Sequence, residues 1–270
     1  MTTDVPILKL PKPSLIHMFA EGRSILELGM SAMFMPFLLR APEGDNHPVM
    51  ILPGFLASDV STKPIRKFLD VKGYQTYGWG LGRNMGKQIV GGQDVICDTL
   101  LSRVIELSVK HNKKVSLVGW SLGGILAREL ARLLPDYVRQ VITLGSPFNG
   151  PSGSVSMVAK LFGAINGDIV KNNPKLLQNM LTPPPVPSSA IYSRSDGVAH
   201  WQACINREIE LFDEAENIEV RGSHSGLGHN PQVMWVVANR LAQSEGAWKP
   251  YDKRKQENFT VATKGIEEKS

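Results

Sequence analysis

Short apolar runs alternate along the chain with longer stretches in which apolar residues recur at helical spacing. This order of strand, helix, strand, helix predicts an α/β fold, a mostly parallel central sheet with helices on both faces, because each connecting helix must cover one face of the sheet. The predicted strands cover residues 49–52, 74–79, 114–118, 140–144, 189–192 and 217–220, and the predicted helices cover residues 62–71, 94–109, 125–134 and 232–242.

The rhythm breaks between residues 148 and 187, where no clear strand pattern occurs. Two amphipathic stretches lie here, around residues 155–162 and 176–181, and a run of prolines closes the segment. We expect residues 148–187 to form a helical cap or lid whose apolar side faces the mouth of a pocket. Ordinary packing of these apolar side chains against the sheet is an equally supported alternative, because apolar helical stripes are usually core.

The first long apolar stretch, residues 25–39, carries Glu27 inside it and is followed by no small-residue cleavage site, so no signal peptide is recognised. The stretch is also too short to span a bilayer comfortably. We expect a helix packed on the body of the protein. A helix at a membrane surface or at the substrate entrance is the alternative.

These patterns divide the chain into a core and three additions. The core is expected to cover residues 47–147 and 188–246, with the cap between its two halves. An N-terminal helical segment, residues 1–46, should pack on the core, and a polar C-terminal tail, residues 247–270, should follow it.

The composition changes this picture little, since 42% hydrophobic and 20% charged residues are typical of a globular domain. The formal net charge is +5, but the basic residues are scattered without interleaved aromatic residues, so no nucleic-acid partner is expected. A weak attraction to anionic lipid surfaces stays open. We expect a cytoplasmic protein, with peripheral membrane association as an alternative, and the sequence leaves the oligomeric state open.

The chain has two cysteines, Cys97 and Cys204, which is too few for a disulfide framework. We expect both to be reduced and mostly buried. No spacing of cysteine and histidine residues suggests a metal site, so no metal is expected.

The strongest chemical signal is the stretch from Gly119 to Gly123, which fits the pattern G-x-S-x-G and lies between a predicted strand and a predicted helix. That context is the one the motif requires, because the chain must turn sharply from strand to helix at the serine. The glycines remove side chains that would clash at the turn. Ser121 is therefore the candidate nucleophile.

A serine hydroxyl needs a base to activate it, and the base needs a carboxylate to orient it. In this architecture the acid and then the histidine follow the serine along the chain. Asp196 lies in the turn after the strand at 189–192 and is the candidate acid, whereas Asp213 and two nearby glutamates lie further from a strand end.

Two histidines follow the last predicted strand, and either could be the general base. We prefer His224, because it lies only a few residues after the strand and the neighbouring Gly222 and Gly226 would let the loop bend toward Ser121. For His229 we expect a structural hydrogen bond that closes the loop onto the start of the last helix.

The oxyanion that develops on an acyl substrate needs two backbone N–H donors. One should be the N–H of Leu122, directly after the nucleophile. The other should come from the loop after the strand at 49–52, where Gly54 would let the backbone approach the substrate, and we prefer the N–H of Phe55.

With these residues, the chain resembles the α/β-hydrolase superfamily, and within it the compact bacterial lipases and esterases. The likeness covers residues 47–243 and rests on residues 53–55, 119–124, 193–197 and 222–231. The stretch from Gly119 to Gly124 is also similar to the elbow of the pimeloyl methyl ester esterases. Pro53 stands where the family often has histidine.

The resemblance implies transfer of an acyl group to water through an acyl-enzyme, with neither a metal nor an organic cofactor. In the family's strand numbering, the predicted cap is inserted after the sixth strand position. We expect a carboxylic ester hydrolase acting on an apolar small-molecule or lipid ester. An acyltransferase or thioesterase with the same triad is one alternative, and a catalytically inactive binding protein of this fold is another.

Overall fold

The computed structural model describes residues 14–89, 96–149 and 174–252, and its centre is a six-stranded parallel sheet. The strand order is β2-β1-β3-β4-β5-β6. The strands are β1 (Pro48–Leu52), β2 (Gln75–Gly78), β3 (Val115–Trp120), β4 (Val138–Leu144), β5 (Ser188–Ser193) and β6 (Ala215–Val220). The predicted α/β fold class and all six predicted strands are confirmed. Short apolar runs bounded by turn residues are a strong signal for buried parallel strands, which explains the agreement.

Eight α-helices surround the sheet in the described residues. They are α1 (Leu15–Phe19), α2 (Ser24–Met33), α3 (Met35–Leu38), α4 (Lys63–Val71), α5 (Asp98–His111), α6 (Leu122–Leu133), α7 (Pro174–Leu181) and α8 (Pro231–Leu241). Short 3₁₀ turns lie at Ala20–Arg23, Trp201–Ala203 and Ile209–Leu211. The predicted start of α5 near residue 94 is wrong: Ile96 pairs with Ile89 in an isolated bridge, so the helix begins only at Asp98.

Side chains of each strand alternate between the two faces of the sheet, and each face has its own core. In β1, Met50 and Leu52 pack with α5 and α6, whereas Val49 and Ile51 pack on the opposite face with α3, α4 and α8. Both faces are covered by helices, so the central strands are buried along almost their whole length, as parallel strands require.

The N-terminal segment forms three short helices and the 3₁₀ turn between α1 and α2. The single helix predicted for residues 25–39 is broken at Phe34, because Pro36 lacks a backbone N–H and cannot continue α2. Helices α2 and α3 contact α8, and the ring of Phe37 stacks on that of Trp235 with centroids 4.7 Å apart.

Most of the predicted cap, residues 150–173, lies outside the described residues, as does the tail from residue 253. Helix α7 follows that gap, and its side chains Leu176 and Met180 are buried in the core beside α6. Arg128 of α6 holds the chain after α7 by donating to the carbonyl oxygen of Thr182 at 2.7 Å. Within the described ranges, no helix has the length and apolar character needed to cross a membrane.

Candidate active site

The three residues predicted to carry the chemistry all follow strands at the carboxyl edge of the sheet. Ser121 follows β3, Asp196 follows β5 and His224 follows β6. Gly145, directly after the intervening strand β4, leaves space for Asp196 and His224: a Cβ there would lie 3.0 Å from Oδ2 of Asp196 and 3.2 Å from Nδ1 of His224. By contrast, Asp213 is exposed and precedes β6, at the opposite edge of the sheet.

The backbone of Ser121 forms a sharp elbow between β3 and α6. Its φ of 53° and ψ of −119° are unfavourable for a residue with a side chain. Two hydrogen bonds hold the turn. The N–H of Ser121 donates to the carbonyl oxygen of Leu144 at 2.9 Å, and the N–H of Gly124 donates to the carbonyl oxygen of Ser121 at 3.0 Å. The serine is therefore fixed at the helix N-terminus, where backbone amides favour negative charge.

Three glycines around the elbow are required by close packing. A Cβ at Gly119 would lie 2.3 Å from the Cα of Gly124, and one at Gly123 would lie 2.3 Å from the carbonyl oxygen of Leu52. A Cβ at Gly124 would lie 2.0 Å from Oγ of Ser146. The glycine pattern in the sequence thus reflects contact between the elbow and the ends of two neighbouring strands.

Asp196 and His224 form a buried acid–base pair. Nδ1 of His224 lies 2.6 Å from Oδ2 of Asp196, and both residues are buried. The other carboxylate oxygen of Asp196 accepts the backbone N–H groups of Val198 at 2.8 Å and Ala199 at 2.7 Å. These bonds fix the carboxylate, which in turn orients the imidazole ring.

The electrostatic surroundings of His224 favour its protonated form. Burial disfavours the imidazolium, but the charge and hydrogen bond of Asp196 and the charge of Glu21 outweigh it, so the pKa of His224 is raised above its ordinary value of 6.5. A pair of this kind can hold a proton that the imidazole accepts from a neighbouring hydroxyl.

The histidine loop and the serine elbow are joined through Trp120, the residue before Ser121. Its indole N–H donates to the carbonyl oxygen of His224 at 3.1 Å. Gly228 lies against the same indole, where a Cβ would come within 2.9 Å of the ring. The indole therefore sets the position of the histidine loop relative to the serine.

The loop after β1 passes directly over the serine. A Cβ at Gly54 would lie 3.2 Å from the Cβ of Ser121 and 3.9 Å from its Oγ. This places the backbone of Gly54 and the following Phe55 beside the elbow, while Leu122 begins α6 on its other side. The two N–H groups predicted to form an oxyanion hole thus belong to segments that adjoin the serine.

Asn84, which no pattern in the sequence singles out, holds this loop in place. Its side-chain amide donates to the carbonyl oxygen of Pro53 at 2.8 Å. Its backbone carbonyl accepts the N–H of Leu56 at 2.7 Å, and its backbone N–H donates to the carbonyl oxygen of Ala57 at 2.8 Å. These three hydrogen bonds from one buried asparagine fix the backbone of the loop after β1.

The second candidate base, His229, faces the N-terminal segment. Its Nε2 lies 2.8 Å from the carbonyl oxygen of Ser24, to which it donates, and its own carbonyl oxygen accepts the hydroxyl of Ser31. The ring is engaged in a bond that joins its loop to α2.

Side chains of the N-terminal segment bind both loops of the acid–base pair, which nothing in the sequence pattern indicated. Glu21 accepts backbone N–H groups from the two loops, and Arg23 donates to the carbonyl oxygen of Ser195 at 2.9 Å. Glu27 accepts the N–H of Ser223 at 2.8 Å. The site is therefore enclosed by residues far away in sequence.

The predicted bend at Gly222 and Gly226 has a different physical basis from the one expected. Neither residue has a positive φ. A Cβ at Gly226 would lie 1.7 Å from Oε2 of Glu27. The absence of a side chain at residue 226 therefore leaves room for the Glu27 carboxylate.

A Ser–His–Asp cluster lies at the amino edge of the sheet, opposite the Asp196–His224 pair. Nε2 of His47 lies 2.8 Å from Oγ of Ser116, and Nδ1 of His47 contacts Asp45, which Arg139 also binds. His47 and Ser116 are 0% exposed, and burial lowers the pKa of His47 to about 4. A serine without solvent access cannot meet a substrate, so this cluster is structural.

In the described ranges, no three histidine, cysteine, aspartate or glutamate side chains are grouped so that they could hold a metal ion.

Comparison with known proteins agrees with this architecture. A family model described as alpha/beta hydrolase fold matches residues 47–196, more than half of the chain. No curated protein is significantly similar in sequence.

Three solved structures illustrate the likeness in fold. Lipase B of Aspergillus fumigatus superposes with a TM-score of 0.56 at 15% identity, over 75% of this chain and 54% of that enzyme, so the present chain spans about half its length. The mature lipase of Bacillus licheniformis superposes with a TM-score of 0.53 at 15% identity, over 76% of this chain and 95% of that enzyme. A pyrethroid hydrolase superposes with a TM-score of 0.51 at 15% identity, over 75% of this chain and 99% of that enzyme.

The packing of the elbow gives a first prediction. Gly123→Ala should lower the free energy of unfolding by about 1–3 kcal/mol, because the new methyl group would overlap the carbonyl oxygen of Leu52. Gly29→Ala is the matched control: a methyl group at this position of α2 would meet no atom within 4 Å, and it should stabilise the protein by about 0.5–1 kcal/mol. Urea unfolding followed by circular dichroism measures both, and equal effects would contradict the packing argument.

Proposed function

This chain belongs to the α/β-hydrolase fold family, and we propose that it hydrolyses carboxylic esters with Ser121 as nucleophile, His224 as general base and Asp196 as the orienting acid. The observation that carries the proposal is the buried Asp196–His224 pair, 2.6 Å apart, at the same sheet edge as the serine elbow. Acyl transfer needs a base of this kind beside a serine that is held at a helix N-terminus.

In the proposed reaction, the imidazole of His224 takes the proton of the Ser121 hydroxyl as Oγ attacks the ester carbonyl. The tetrahedral oxyanion receives hydrogen bonds from the backbone N–H groups of Phe55 and Leu122. Its collapse breaks the ester bond, and the imidazolium protonates the departing alcohol. Water, deprotonated by the same imidazole, then attacks the acyl carbonyl. As the bond from the carbonyl carbon to Oγ of Ser121 breaks, the imidazolium returns its proton to Oγ and the acid is released.

We propose apolar acyl esters as the substrate class. The amphipathic pattern of residues 155–162 motivates this choice, whereas the second stretch, at 176–181, packs in the core beside α6. Two of the solved structures of this fold are described as lipases, which makes esters of graded chain length the natural test.

The role of the serine can be tested directly. Ser121→Ala should lower kcat for p-nitrophenyl esters by about 10⁴-fold or more, because members of a triad act as a unit. A panel from acetate to palmitate measures the chain-length preference at the same time. A fluorophosphonate probe should label the wild type at Ser121 and leave the variant unlabelled.

Ser116→Ala is the control for this experiment, because Ser116 contacts a buried histidine in the structural cluster. It should keep wild-type kcat and probe labelling. A folded Ser121→Ala protein with near wild-type turnover would exclude the proposed nucleophile.

The base can be tested in the same way. His224→Ala should abolish acylation, whereas His229→Ala should retain it, because the ring of His229 is bonded to the backbone of α2. In the wild type, the base acts only when neutral, so kcat/KM should fall as the pH decreases through the raised pKa of His224.

The midpoint of that acidic limb should therefore lie above the ordinary histidine value of 6.5. Acylation that survives in His224→Ala and disappears in His229→Ala would reverse the assignment. Circular dichroism of each variant shows whether it is folded.

A further inference from the structure

Helix α2 is turned with its polar side toward the protein and its apolar side toward solvent. Glu27 and Ser31, one helical turn apart, are buried, whereas Ile25 and Leu26 are 77% and 70% exposed. A helix on the surface of a globular protein normally has the opposite arrangement. The polar side is directed inward because it binds the histidine loop, through the N–H of Ser223 and the carbonyl oxygen of His229.

The neighbouring helices extend this apolar surface. Phe19 at the end of α1 is 82% exposed, and α3 ends beside the exposed Leu39. We call these side chains the outer face of the N-terminal segment, and it includes Ile16, Phe19, Ile25, Leu26, Met33 and Leu39. Several large apolar side chains together on consecutive short helices mark an interaction surface.

The charges of this segment indicate what covers the outer face. The two acidic residues between the start of α1 and the end of α3, Glu21 and Glu27, are bound to the loops behind these helices, whereas Arg40 is exposed just after α3. The sequence before α1 contains Lys9 and Lys12 and one acidic residue, Asp4, and the whole chain carries a formal net charge of +5. An apolar face with basic and no outward acidic neighbours among the described helices suits an anionic lipid surface.

We propose that the outer face docks on the surface of a membrane that contains anionic phospholipid, with the helices lying in the interface. The proposal is independent of the ester hydrolase activity, because only binding needs to be measured. Such docking places the adjoining acid and histidine loops close to the lipid, within reach of esters dissolved there.

Flotation with vesicles tests this proposal. The wild type should float with vesicles of phosphatidylcholine and phosphatidylglycerol, bind less to phosphatidylcholine alone, and lose binding as salt screens the charges. The triple variant Phe19→Ser, Ile25→Ser, Leu26→Ser should lower the partition coefficient by about 10-fold or more.

The matched control is Val71→Ser, Val109→Ser, Leu211→Ser, which replaces side chains that are 64%, 70% and 73% exposed on other elements. It should bind as the wild type does. Absence of wild-type flotation, or equal loss in both triple variants, would overturn the proposal. If the wild type does not float but forms a dimer, and the triple variant of the outer face is monomeric, the outer face would instead bind a second copy of the chain.

A separate observation concerns Glu21, whose single carboxylate joins both loops of the acid–base pair. Its Oε1 accepts the backbone N–H groups of Gly197 and His224, each at 2.9 Å, and its Oε2 accepts that of Ser225, also at 2.9 Å. Gly197 directly follows Asp196, so the carboxylate is bonded next to both members of the pair. Burial alone would raise its pKa, but the three amides outweigh that effect and lower it.

We further infer that Glu21 is a positioning residue, which fixes the separation of Asp196 and His224 and keeps a negative charge beside the imidazole. This inference rests on the proposed function. The ionisable groups that act on His224 within the described residues are Asp196 on the β5 loop and Glu21 on the N-terminal segment. Glu27 adjoins the same loop through the N–H of Ser223.

Glu21→Gln tests this role, because the amide has the same shape but no charge and directs N–H donors at backbone N–H groups. We expect kcat to fall by about 10- to 100-fold with little change in KM, since the loops would lose their alignment. The acidic limb of the kcat/KM profile should move to lower pH, because removal of a nearby negative charge lowers the pKa of His224. Glu21→Asp, which keeps the charge, should return the limb toward its wild-type position.

The control is Glu245→Gln, which neutralises an exposed glutamate paired with Lys114. It should change neither kcat nor the pH at which the acidic limb of kcat/KM lies. The limb position is independent of the amount of active protein, so partial unfolding does not hide the result. A limb that stays in place in Glu21→Gln would overturn the positioning role. A wild type that the fluorophosphonate probe fails to label would instead exclude the proposed function.

Discussion

The turn at Ser121 is the constraint on which the rest of the site depends. A residue with a side chain is held at positive φ, and it stays there because neighbouring backbones approach closely from both sides through glycines at 119, 123 and 124. Those contacts fix the elbow to the ends of β1 and β4, so the serine cannot move without displacing the sheet. Strain at one residue is thus balanced by packing spread over three strands.

The N-terminal segment reverses the usual division between core and surface. The carboxylates of Glu21 and Glu27 are directed inward, where backbone amides of the acid and histidine loops need acceptors, and large apolar side chains are left outside. Loops at the end of a parallel sheet contain many such unpaired amides. Glu21 and Glu27 satisfy several of them without adding secondary structure, which explains why polar residues occupy the inner side of α2.

Local patterns in the sequence were sufficient for the sheet and for the placement of Ser121, Asp196 and His224 after three strand ends, because strand periodicity and elbow glycines are short-range signals. They were insufficient where distant residues decide the geometry. The bridge at Ile96 delays the start of α5, and Pro36 divides the apolar stretch into two helices. Glu21 and Asn84 have no local signature, since their partners lie in other loops. The cluster of Asp45, His47 and Ser116 was equally invisible to local patterns, and it differs from the candidate site in lying at the amino edge of the sheet with a serine that is 0% exposed.

The bonds of Glu21 span 176 residues to Gly197 and 204 residues to Ser225. Contacts between such distant parts of a chain form late, because the loop between them must be closed first. During synthesis the N-terminal helices leave the ribosome before either of their partner loops exists. The outer and inner sides of these helices are then both uncovered, and the segment can settle only once residue 225 has emerged. We therefore expect the acid–base geometry to be completed late in folding, after the sheet has assembled.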